Sequence, residues 1–200
     1  NHNISALFED ENKKLWVGTD RGVYIYDPVH DIFSFIDMEA ENGEKMFNWV
    51  AKITSDHEGN IWILIPDQGA FRYKDEKLYY YAITNKDNIK RESPGAICVR
   101  ENGEVWIGTT GVGIFRYDPK TDSFTQYHTD KEGNTLMGEH IFAMCEYGDW
   151  IVLAVHDGEL KKYNPATNVL QTVKAPGVHH TILRDVVCFD KKRLWVCSHA

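Results

Sequence analysis

A hydrophobic-Trp-hydrophobic string, followed within a few residues by a Gly turn and an aromatic strand, recurs along this 200-residue chain at a nearly fixed interval. It reads Leu15-Trp16-Val17-Gly18-Thr19, Ile61-Trp62-Ile63, Val105-Trp106-Ile107-Gly108-Thr109 and Leu194-Trp195-Val196. The first three tryptophans are 46 and 44 residues apart, and the 89 residues from Trp106 to Trp195 leave room for one further unit. In that unit Val152 takes the tryptophan position. It lies 11 residues before Tyr163, as Trp62 lies before Tyr73 and Trp106 before Tyr117. A period of about 45 residues is the length of a four-stranded propeller blade and too long for a leucine-rich or ankyrin unit.

Each repeat divides into four short runs of β-branched and aromatic residues bounded by Gly, Asn, Asp and Pro, the pattern of an antiparallel meander. In the third repeat these are Ala96-Ile97-Cys98-Val99, Val105-Trp106-Ile107, Ile114-Phe115-Arg116-Tyr117 and Phe124-Thr125-Gln126-Tyr127. No capped stretch of ten or more residues has helical periodicity, so the chain is expected to be all-β. The expected architecture is a β-propeller fragment of about four to five four-stranded antiparallel blades, over approximately 1–37, 48–83, 95–129, 140–174 and 181–200. The last blade is incomplete and the ring open, with strand edges covered by another copy. Trp16, Trp62, Trp106 and Trp195 are expected to be buried at equivalent positions between blades. Tyr26, Tyr73, Tyr117 and Tyr163 repeat with the same period and are read as packing residues too.

A net charge of -8 argues against nucleic acid, which requires a basic face. No run of 18 apolar residues occurs, so no membrane contact is expected of this segment. The four cysteines show no Cys-x-x-Cys spacing, and no metal or cofactor is expected. Cys98, Cys145 and Cys188 are 47 and 43 residues apart, near the same place in the first strands of three successive repeats, which reads as small buried residues.

The strings Leu15-Trp16-Val17-Gly18-Thr19-Asp20-Arg21-Gly22-Val23-Tyr24 and Val105-Trp106-Ile107-Gly108-Thr109, the latter continuing to Tyr117-Asp118-Pro119, resemble the two-component regulator propeller repeat. Ile63-Leu64-Ile65 and Val196-Cys197-Ser198 depart from it by lacking the Gly-Thr step. The resemblance implies a periplasmic sensor region of a hybrid two-component receptor of Bacteroides-type bacteria. In such receptors two propellers precede a β-sandwich, a membrane helix and a histidine kinase, and glycan breakdown products are the signals. The partners so implied are an oligosaccharide ligand, the remaining blades and β-sandwich of the receptor, and a second copy in a homodimer. The repeat carries no fixed catalytic residues.

Candidate site residues therefore come from the irregular parts. The inter-blade stretches Met38 to Asn48, Thr84 to Gly95, Asp130 to His140 and Ala175 to Thr181 differ in length and composition, as binding loops on a rigid scaffold do. Trp49 follows Asn48 at an inner-strand entrance, where an indole stacks on a sugar ring or fills the core. Asn48, Arg91, His140 and His180 occupy similar entrances and offer hydrogen-bond donors. His179-His180 does not form a metal pair, because adjacent side chains on a strand point to opposite faces. No nucleophile or paired-carboxylate motif appears, so no catalytic residue is assigned. Three classes stand: a non-catalytic sensor module, a protein-interaction or dimerisation scaffold, and a propeller enzyme acting on carbohydrate.

Overall fold

The computed structural model describes residues 3–37, 39–45, 49–84, 93–156, 158–173, 182–189 and 193–199. Among these residues there is no helix, and therefore none long and apolar enough to cross a membrane. The chain divides into two compact units, Asn1–Pro94 and Gly95–Ala200.

The first unit holds two antiparallel meanders. Strands β1 (Ile4–Glu9), β2 (Leu15–Thr19), β3 (Gly22–Asp27) and β4 (Ile32–Phe35) pair in chain order, as do β5 (Lys52–Ser55), β6 (Ile61–Ile65), β7 (Gly69–Lys74) and β8 (Lys77–Tyr81). Their facing surfaces share one core, in which Trp16, Val23 and Ile36 of the first sheet meet Val50, Ile53, Ile63 and Phe71 of the second. In the second unit β9 (Pro94–Val99), β10 (Val105–Val112), β11 (Ile114–Asp118) and β12 (Ser123–Tyr127) form the third meander. Strands β13 (Met137–Tyr147), β14 (Trp150–Val155), β15 (Leu160–Asn164) and β16 (Val169–Val173) form the fourth. These two sheets are continuous, because the end of β10 pairs with the start of β13 through Thr110↔His140 and Val112↔Met137. A two-stranded sheet of β17 (Ile182–Phe189) and β18 (Arg193–His199) completes the described residues. None of these sheets closes on itself.

The repeated sequence features each perform one local task. A turn carboxylate holds the indole of the following strand: Trp16 Nε1 donates to Asp10 Oδ2 at 2.8 Å and Trp62 Nε1 to Asp56 Oδ2 at 2.8 Å. The same two aspartates accept backbone N–H groups two and four residues on, at 2.9–3.0 Å, and so close the hairpin from the first to the second strand. In the third repeat Arg100 stands where the aspartate would be, and Trp106 Nε1 donates to Glu104 Oε2 at 3.1 Å instead. The threonine of the Gly-Thr step closes the next turn, with Thr19 Oγ1 donating to Gly22 O at 2.9 Å and Thr109 Oγ1 to Gly113 O at 2.8 Å. Its glycine is required by close approach. A Cβ on Gly18 would sit 2.7 Å from Val50 Cβ, and one on Gly108 2.7 Å from Ile141 Cγ2, both on the chain entering the next blade. The tyrosine of Tyr-Asp-Pro braces the outer hairpin: Tyr26, Tyr117 and Tyr163 donate to Asp31, Asp122 and Asn168, residues with φ of 49–55°.

The tryptophan wedge is then visible as an edge-on contact with the tyrosine of the next blade. Trp16 meets Tyr73 at 5.3 Å between centroids, and Trp106 meets Tyr163 at 5.8 Å. Trp16, Trp62 and Trp106 are 3, 0 and 0% exposed, and Val152, opposite Lys162 as Trp106 is opposite Arg116, is buried as well. Trp195 is different. It was expected to be buried, but it is 64% exposed. Phe189 occupies the position six residues earlier where Asp10 and Asp56 hold the first two indoles, and its sheet has two strands. The wedge is a property of a pair of blades rather than of the string itself.

Truncating Trp106 to Ala removes a fully buried indole and is expected to cost about 3–5 kcal/mol in urea unfolding. Trp195→Ala is expected to change stability by less than about 0.5 kcal/mol. Equal losses at the two positions would contradict the assignment.

Candidate functional site

The inter-blade loops were expected to be the variable part of the scaffold, yet the described portions of two of them form the same tied-down hairpin. Glu39 bridges Lys45, and Thr129 bridges Thr135. Within them Ala40 N–H donates to Glu44 O and Asp130 N–H to Asn134 O, at 2.8 and 2.9 Å. Each hairpin is fastened to the outer hairpin of the blade that follows, through Glu41 N–H to Leu78 O of β8 at 2.8 Å and Lys131 N–H to Asn168 O in the β15–β16 turn at 3.2 Å.

Asp130 makes the second fastening stronger. Its Oδ1 accepts from the N–H groups of Glu132 and Asn134, and its Oδ2 from the Asn134 carboxamide and the Leu170 N–H, at 2.8–2.9 Å. The Asn134 carboxamide, opposed by burial and aided by these backbone groups, holds the carboxyl down at about 2. Because the folded value is depressed, this contribution is fully present above the ordinary aspartate range and is lost as pH falls from about 4 towards 2. Amide exchange at Leu170 is therefore expected to accelerate across that window and to be flat from pH 5 to 7 after correction for intrinsic rates. Asp130→Ala should accelerate it at pH 7. An unchanged Leu170 amide in that variant would show that the loop is held by other contacts.

Of the five candidate residues, Asn48, Arg91 and His180 lie outside the described residues. Trp49 is 46% exposed beside the fully buried Val50. His140 is exposed at the start of β13, where its carbonyl accepts from His156 N–H at 3.0 Å and its ring meets the His156 ring edge-on at 5.7 Å. Phe142 also meets His156, at 5.7 Å, and Arg184 lies 5.3 Å over Phe142. Lys161 pairs with Glu139 beside this group. A donor-rich aromatic surface thus surrounds His140. Trp49 and His140 belong to different units.

A second feature was not read from the sequence. In the second unit an open cleft of about 920 Å³ lies among the β9–β10 turn, the end of β13 and β17. Met144 and Val186 supply apolar wall, while Glu101, Glu146, Asp149 and Asp185 make the rim acidic. Arg100 is neutralised by Glu104 at 2.9 Å and Glu146 at 3.0 Å, so the rim keeps an excess of negative charge. Glu146 also accepts from Glu101 N–H at 2.7 Å. Burial pushes the Glu104 carboxyl up, but Trp106, Arg100 and Asn102 donate to it and hold it below its ordinary range. The cleft is towards the other end of β13 from His140, four to six residues or about 14–20 Å along the strand. Its sequence signal was Arg100, which breaks the aspartate pattern of Asp10 and Asp56. Among the described residues no group of three or more His, Cys, Asp or Glu side chains could hold a metal ion.

Residues 1–21 match the family model of the two component regulator propeller. No curated protein matches the chain. Among solved structures, the extracellular domain of the putative hybrid two component system BT4673 from B. thetaiotaomicron aligns with a TM-score of 0.77 at 18% identity, over 97% of this chain and 26% of that one. The corresponding domain of BT3049 from the same organism gives 0.78 at 18%, over 98% and 27%. PorZ, a surface component of the type-IX secretion system of Porphyromonas gingivalis, gives 0.75 at 16%, over 97% and 30%. The chain spans between a quarter and a third of the length of these structures, and at such identities the likeness is one of fold. The match to the repeat thus covers residues 1–21, and the fold is that of propeller-like extracellular domains of two-component systems.

Proposed function

We propose that this chain, as a bearer of the two-component regulator propeller repeat, is a non-catalytic part of the periplasmic sensor region of a hybrid two-component receptor, where it contacts glycan-derived ligands. The observation that carries the reading is the conjunction of the match over residues 1–21 with a described fold shared with extracellular domains of such systems. The half-exposed Trp49 indole supports a sugar-stacking role, and His140 offers a hydrogen-bonding group in the exposed surface it shares with His156 and Arg184. Asn48, Arg91 and His180 complete the proposed set. Signal then passes to a histidine kinase elsewhere in the receptor.

A scaffold role is the second reading, and one observation favours it. One face of the first sheet exposes Leu7, Phe33 and Phe35, each 53–65% accessible, with Phe33 stacked on Tyr26 at 4.6 Å and Phe35 against Tyr24 at 5.0 Å. Such an aromatic sheet face suits the remaining blades of the receptor or a second copy in a homodimer.

Glycan-array binding followed by calorimetry on the whole extracytoplasmic region separates the two. Trp49→Ala is expected to weaken oligosaccharide binding at least about fivefold, the loss of one stacking contact of roughly 1 kcal/mol, with the melting temperature within a few degrees. Unchanged affinity would remove Trp49 from the site, and a collapsed melting temperature would assign it to the core. No glycan bound, with dimerisation abolished by Phe33→Glu, would favour the scaffold.

A further inference from the structure

Three successive inner strands of the second unit carry a thiol, Cys98 on β9, Cys145 on β13 and Cys188 on β17, but Cys145 lies opposite Val152, at the tryptophan position, whereas Cys188 lies opposite Leu194, one residue before Trp195, and so on the other face of its sheet. The last two face one another. Alternate residues on a strand share a face, and Val186, two before Cys188, packs in one cluster with Ala143, two before Cys145. Cys145 itself packs against that cluster. The Cys188 N–H points at the Cys145 sulfur and the two thiols lie within electrostatic reach of one another, on strands whose apolar faces pack together. Both thiols line the 920 Å³ cleft, whereas Cys98 is buried and does not. Cys197 is exposed on β18, opposite Asp185 in the ladder.

We propose that Cys145 and Cys188 are an oxidation site, at which a small disulfide of the glutathione type enters the cleft and leaves a disulfide joining β13 to β17. Cys188, on the cleft wall, loses its proton and attacks one sulfur of the oxidant, breaking its S–S bond and releasing one reduced thiol. The Cys145 thiolate then attacks the Cys188 sulfur of the mixed disulfide and expels the second reduced thiol. Two protons leave the protein, and two electrons pass to the oxidant. In the dithiol, burial, and then the charge of Cys188, push the Cys145 thiol up to about 12; burial persists in the mixed disulfide, where Cys188 carries no charge, so the closing step is the slow one and accelerates as pH rises. The bond ties the two-stranded sheet of β17 and β18 to the fourth meander, closing a loop of about 40 residues in the unfolded chain.

The test treats the chain with oxidised glutathione at pH 8, quenches in acid, alkylates the remaining thiols and maps the peptides by mass spectrometry without reduction. The expected result is one cross-link between the Cys145 and Cys188 peptides, with Cys98 and Cys197 alkylated. The melting temperature should rise by about 5 °C or more, and dithiothreitol should reverse the change. Cys188→Ser should abolish both effects while Cys98→Ser leaves them intact. Circular dichroism matching that of the parent chain confirms that each variant is folded. Four alkylatable thiols after oxidation, a glutathione adduct that persists at Cys188, or a cross-link from Cys145 to Cys98 would each overturn the proposal.

Discussion

Burial of a large flat ring between neighbouring sheets, with its one polar atom satisfied by a turn, is the interaction on which the rest of this structure depends. An antiparallel four-stranded sheet has two faces and, standing alone, little to bury. The indoles of Trp16 and Trp106 fill the space between successive meanders and meet the tyrosine of the next. Their N–H groups would be costly if left unpaired in that position. Asp10, Asp56 and Glu104 remove the cost, and the two aspartates also close the hairpins that put the rings in place. The glycine after each of the first and third tryptophans clears the path for the following inner strand. Stacking and turn formation are thus the same set of contacts.

The strands and the wedge were legible because each is specified by a string shorter than ten residues. Trp195 was not, because its burial depends on a partner sheet that no local string encodes, and its exposure follows from a two-stranded sheet with Phe189 in the carboxylate position. The continuity of the third and fourth meanders escaped notice for a similar reason, since pairing of Thr110 with His140 spans 30 residues. The tied-down loops are legible in the sequence as well. Asp130-Lys131-Glu132-Gly133-Asn134 nearly repeats Asp56-His57-Glu58-Gly59-Asn60, and both fold into the same aspartate-centred turn.

That turn narrows where ligand recognition can reside. The hairpins after the first and third meanders are fastened to the outer hairpins that follow them, so the proposed ligand contact is assigned to residues beside them, Trp49 and His140, rather than to freely varying loops. The acidic cleft at the opposite strand end has a different origin. Arg100 replaces the turn aspartate, recruits Glu146 from the neighbouring hairpin and leaves Glu101, Asp149 and Asp185 around an opening that also contains two thiols. A departure from the repeat marks that site, whereas agreement with the repeat marks the scaffold.

The claim that indole and tyrosine form one inter-sheet unit is most directly tested by a double-mutant cycle in urea unfolding, using Trp106→Leu, Tyr163→Leu and the pair. Direct contact predicts that the two losses are non-additive by about 1 kcal/mol. Additivity to within about 0.3 kcal/mol would contradict it, and would mean that each ring is buried without its stability depending on the other.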